Sequence, residues 1–83
     1  MDDPRIRDRG SFDLIVANIL AGPLIELAPE LHAALSQNGT IVLAGLLASQ
    51  AEDVLAAYEI LGMKPHARID SGDWSILTLV KAQ

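Results

Sequence analysis

Phe12-Asp13-Leu14-Ile15-Val16-Ala17-Asn18-Ile19-Leu20-Ala21-Gly22-Pro23-Leu24 decides how the rest of the chain is read. Phe12 to Ala21 is a short apolar run with one polar interruption, Asn18, which is the pattern of a strand covered on both faces. Gly22 and Pro23 stop it, and Pro23 suits the first turn of a helix, where its missing N–H would be unpaired anyway. Leu24, Leu27, Ala28, Leu31 and Leu35 then recur at spacings of three and four, one helical stripe. Pro29 cannot donate to the carbonyl of Ile25, which predicts a kink or a short leading turn before the helix proper. Asn38-Gly39 tolerates left-handed backbone and is expected to close the element.

Further along, Thr40 to Leu47 reads as a second doubly buried strand. Ser49-Gln50-Ala51-Glu52 matches a capping box, opening a helix with Val54, Leu55, Tyr58 and Leu61 on one face and Gly62 at its end. Met63 to Ile69 and Trp74 to Lys81 predict two strands joined by the hairpin loop Asp70-Ser71-Gly72-Asp73. In the last strand Trp74, Ile76, Thr78 and Val80 share one face, Leu77 and Leu79 the other. Met1 to Ser11 shows no period and reads as a disordered lead-in, leaving one domain over residues 12–83.

The order strand, helix, strand, helix, strand, strand implies an α/β sheet with parallel crossovers and an antiparallel last strand. Right-handed crossovers in a sheet growing one way place both helices on the same face. The opposite face then receives no helix from this sequence. Each large aliphatic left wet forfeits about 1.5–3 kcal/mol, against a typical whole-domain stability of about 5–15 kcal/mol. The expectation is a chain that is half of something.

Composition narrows the function classes. The 83 residues include 51% hydrophobic and 20% charged side chains, a globular balance. No cysteine is present, which removes a disulfide scaffold, a thiolate metal site and a cysteine nucleophile. A net charge of −5 argues against nucleic acid as a main partner. The charged start lacks the apolar segment of a signal peptide, and no apolar run approaches the ~20 residues of a membrane span. The expectation is a soluble, cytoplasmic protein.

Asn18 is the residue to examine, because ligands of open α/β sheets bind beyond the carboxyl ends of the strands. An amide among aliphatics must find partners, either a loop backbone or a ligand. Phe12 to Leu24, with Leu27-Ala28-Pro29-Glu30-Leu31, Gly45-Leu46-Leu47-Ala48-Ser49-Gln50-Ala51 and the Trp74 strand, resembles class I S-adenosylmethionine (SAM) methyltransferases. More narrowly it resembles the PrmA family, bacterial methyltransferases of large-subunit ribosomal protein eleven, over roughly Phe12 to Lys81. The resemblance implies a Rossmann-like sheet of order 3-2-1-4-5-7-6, of which this chain would carry the carboxy-terminal half, strands four to seven. It implies SAM as the cofactor of the intact enzyme, with Asn18 contacting it. It also implies amines of a ribosomal protein, lysine side chains and an amino terminus, as methyl acceptors. No catalytic residue is assigned.

The glycines, at 10, 22, 39, 45, 62 and 72, form no G-x-G, and no second strand ends in an acidic residue for a ribose. Both features belong to the family's first three strands, so the isolated chain is expected to be an inactive fragment. His32 and His66 lack cysteine or spaced carboxylate partners, so no metal site is expected. No serine stands in a G-x-S-x-G elbow. Glu26 and Glu30 read as solvent-facing, Asp70 and Asp73 as turn residues, and Trp74 as a packing residue. A non-catalytic module that pairs with itself or another protein through the uncovered sheet is the alternative. A glutamine methyltransferase of release factors is disfavoured, because that family usually shows Asn-Pro-Pro where this chain has Asn18-Ile19-Leu20.

Overall fold

The computed structural model describes residues 12–81; the lead-in expected at 1–11 lies outside the described residues. Chain order is β1 (Phe12–Asn18), α1 (Ala21–Glu26), α2 (Ala28–Ala34), β2 (Leu35–Leu47), a 3-10 turn (Ala48–Gln50), α3 (Ala51–Glu59), β3 (Met63–Ser71) and β4 (Trp74–Lys81). The four strands form one sheet in the order β1-β2-β4-β3. β1 and β2 are parallel, and β4 runs antiparallel to both of its neighbours. This is the arrangement that the resemblance implies for strands four, five, seven and six.

The helical stripe divides where Pro29 requires. Leu27, between the helices, has φ −87° and ψ −2°, and Pro29 falls in the first turn of α2, where no N–H is needed. Leu24, Ala28, Leu31 and Leu35 are buried, as their spacing predicts. The chain leaves the helix earlier than expected, at Ala34. Asn38, at φ 65°, then sits inside the long β2 as a left-handed kink rather than at a helix end.

All three helices cover the same face of the sheet. Ala17, Ile41, Leu43, Leu46, Leu77 and Leu79 from the strands close one core with Leu24, Leu31, Val54 and Tyr58 from the helices. Buried Tyr58 donates its hydroxyl to the carbonyl of Leu24 at 2.7 Å, tying α3 to α1. Burial raises the pKa of that phenol. At the far end Lys81 Nζ donates to the carbonyls of His32 and Leu35, at 2.9 and 2.8 Å, and so caps α2. Burial and the nearby Lys81 charge lower the pKa of His32.

The other face is open. Leu14 and Val16 on β1, Ile69 on β3, and Trp74 and Ile76 on β4 are exposed there. Double burial of β1 and β2, expected from their apolar runs, is therefore realised on one face only, because these residues bring no second layer. β1 also stops at Asn18, three residues before the expected Ala21.

Local chemistry differs from expectation at two turns. Ser49 caps nothing among the described residues; Gln50 Oε1 accepts the Leu47 N–H at 3.0 Å instead. Glu52 is drawn outward to Arg68, at 3.2 Å. The hairpin loop is two residues, Gly72-Asp73, with Ser71 paired to Trp74. Gly72, at φ 61°, holds the first loop position, which a II′ turn reserves for glycine. Asp70 is consequently a strand residue, accepting from Arg68 Nε at 3.0 Å and from Ser75 Oγ. Those two donors hold its pKa below the usual value.

Candidate functional site at the carboxyl end of the parallel strands

Asn18 is the last residue of β1 and lies beside Ala44 of β2. It has the same parity as Leu14 and Val16, so it belongs to the open face. Among the described residues its side-chain amide has no hydrogen-bond partner. It is an exposed amide at the rim of an apolar surface, not the satisfied buried asparagine of the other reading.

Gly45 leaves the room that amide occupies. A Cβ built there would stand 2.7 Å from Asn18 Oδ1, 2.9 Å from the Ile19 carbonyl oxygen and 3.2 Å from the Ile19 nitrogen. Gly45 also has φ 82°, which a side chain resists. It sits where the β2–β4 register shifts, between Leu43 and Leu46. The end of β2 thus bends, and the loop after β1 closes directly onto it. Sequence reasoning singled out Asn18 but gave Gly45 no role; an isolated glycine inside a strand pattern was the available signal.

Beyond Asn18, Leu20 is exposed, and its carbonyl accepts the Leu24 N–H at 3.0 Å to begin α1. Tyr58 holds that helix from behind. The loop after β2 is clipped by the hairpin: Ala48 N–H donates to the Asp73 carbonyl at 2.7 Å. Trp74 pairs with Leu47 and is 53% exposed, so its indole is not the packing residue expected. The stretches from Leu14 to Ile25 and from Leu43 to Ala51 contain no Asp, Glu or His. His32 and His66 lie on α2 and β3, and among the described residues no three metal-ligating side chains gather. Glu26 and Glu30 are exposed. Among the described residues no helix is long and apolar enough to cross a membrane.

The family model of ribosomal protein L11 methyltransferase (PrmA) matches residues 2–82. The chain belongs to the PrmA family. Among curated relatives, the ribosomal protein L11 methyltransferase of Brucella suis is 46% identical over 76 residues, 92% of this chain and 27% of that protein. Its counterpart from Agrobacterium fabrum is 48% identical over 75 residues, 90% of this chain and 26% of that protein. The chain therefore spans about a quarter of the length of these PrmA relatives.

Solved structures agree on the architecture. The ribosomal protein L11 methylase of Lactobacillus delbrueckii subsp. bulgaricus superposes with a TM-score of 0.80 at 30% identity, over 86% of this chain and 37% of that one. A methyltransferase from Pyrococcus furiosus gives a TM-score of 0.70 at 21% identity, a likeness of fold, over 89% of this chain and 43% of that one. The four strands are thus the carboxy-terminal portion of a Rossmann-like methyltransferase sheet.

In the PrmA family a SAM cofactor must be held along its whole length. The described residues fit one edge of such a group. Asn18 and the carbonyls after β1 offer acceptors, but no glycine-rich loop or acidic strand end is present for the nucleoside.

Proposed function

We propose that this chain forms the acceptor side of a SAM-dependent protein methyltransferase site that passes methyl groups to amines of a ribosomal protein, lysine side chains and an amino terminus. The observation that carries the reading is Asn18, exposed at the carboxyl end of β1 on the open face, with its Oδ1 in the space that Gly45 leaves free. When bound, SAM supplies a methyl group on a sulfonium, so the acceptor needs alignment more than an enzymic nucleophile. Asn18 Oδ1 and the adjacent backbone carbonyls accept hydrogens from a neutral amine and aim its lone pair. Neither stretch carries a side-chain base, so the part these residues play is alignment of the amine rather than removal of its proton.

The other half of the site, the glycine-rich strand–loop–helix that would hold the nucleoside, adds its strand at the free edge of β1, and its helix lies toward the open face. Alone, the 83 residues transfer no methyl groups. The test joins them to the glycine-rich part of a PrmA relative and measures methylation of the ribosomal acceptor. Asn18→Ala is expected to lower kcat on the order of 10²-fold, the scale of lost alignment. Unchanged kcat in that variant counts against the reading.

The exposed Leu14, Val16, Ile69 and Ile76 also favour a second reading, a module that pairs with itself. Sedimentation at several concentrations separates the two. Reversible dimers of the chain that survive addition of the glycine-rich half support self-pairing, and monomers remove it.

A further inference from the structure

The hairpin and the loop after β2 enclose a depression of ≈ 260 Å³, lined by Leu47, Ala48, Ser49, Gly72 and Asp73. It opens at the same end of the sheet as Asn18, two strands across. Its wall is amphipathic: aliphatic at Leu47 and Ala48, polar at Ser49 and Asp73. Leu47 is also the β-partner of Trp74, whose indole is half exposed immediately after Asp73. Among the described residues Arg68 is paired with Asp70 and Glu52, and Asp73 has no ion-pair partner.

A lysine or arginine side chain has the matching form, an apolar stem ending in a charged head. A carboxylate beside an exposed indole suits that head, by charge and by cation–π attraction. The net charge of −5 favours approach of a basic polypeptide over a nucleic acid.

We infer that this depression is a subsite for a second basic side chain of the acceptor protein, bound while the methylated amine sits at Asn18. The inference rests on the proposed amine-acceptor reading and adds a rule of spacing to it. Two strand separations across and about three residues along the sheet place the subsite about 14 Å from Asn18. An extended peptide covers that distance in about four residues. The preferred acceptor therefore carries a basic residue about four positions from the amine that is methylated.

The test uses the full 83-residue chain, labelled for NMR, and two peptides. One has two lysines four residues apart, and the other replaces both lysines with norleucine. The two-lysine peptide is expected to shift the amide signals of Leu47–Ser49 and Gly72–Trp74, more weakly at high salt. Asp73→Asn should weaken it about threefold to fivefold, as for a surface ion pair, with the rest of the spectrum unchanged. Asn18→Ala should leave the hairpin shifts in place, which separates this subsite from the methyl-transfer site. Equal shifts from the norleucine peptide, or undiminished binding by Asp73→Asn, would overturn the subsite. Neither result bears on methyl transfer at Asn18.

Discussion

The two faces of one sheet are built by the same alternation of side chains and meet opposite fates. On the helical side Ile41, Leu43, Leu77 and Leu79 are fully buried; on the other, Leu14 is 58% and Val16 65% exposed. Both sets are aliphatic, and neighbours on β1 and β2 contribute to both. What differs is supply: α1, α2 and α3 all pack on one side. A strand can therefore look doubly buried in sequence while the described residues cover it once.

The contrast can be broken most forcefully in the core. Leu43→Ala or Leu77→Ala removes a fully buried side chain and should cost about 2–5 kcal/mol in urea unfolding. Val16→Thr or Ile69→Thr on the open face should stay within about 0.5 kcal/mol. Comparable losses on the two faces would mean that the open one is covered after all.

Next in size is the junction where the open face becomes the site. Gly45→Ala forces a Cβ against Asn18 and Ile19 at a left-handed φ, and should cost about 1–3 kcal/mol. In the completed domain it should also lower methyl transfer, because the Asn18 amide must move.

Tyr58→Phe removes the buried hydrogen bond that holds α1 behind the site and should cost about 1–2 kcal/mol by thermal unfolding. Its pH signature is specific. The folded phenol has its pKa raised above the ordinary 10.0, so its contribution is complete below pH 10 and is lost as pH rises further. The parent chain should weaken above pH 10 by more than the variant does.

The smallest effect belongs to the hairpin. Asp70 has a depressed pKa, so its contribution holds above about pH 3.8 and fades as pH falls through its lower folded value. Asp70→Asn should flatten that acid limb while leaving Tm at pH 7 within about a degree, as expected for an exposed group.

Much of this was legible in the residues. Pro29 marked the break between two helices, Gly62 and Gly72 marked turns, and the parity of β4 placed Leu77 and Leu79 in the core. The one-sided cover followed from counting helices against strands. Asn18 stood out because a polar residue interrupts an apolar run. The capping box fails because Gln50 takes up the Leu47 N–H one turn away, while a tertiary partner, Arg68, draws Glu52 outward. Trp74 departs from its expected packing role for the same reason that β1 departs from double burial: nothing in a local pattern says whether the facing layer exists. Gly45 escaped because its constraint comes from a strand 27 residues earlier.

Calorimetric titration of SAM tests the central claim most directly, made once with the 83-residue chain and once with the same chain joined to the glycine-rich half of a PrmA relative. The account predicts no binding heat from the first and saturable binding from the second. Tight binding by the 83 residues alone would contradict it.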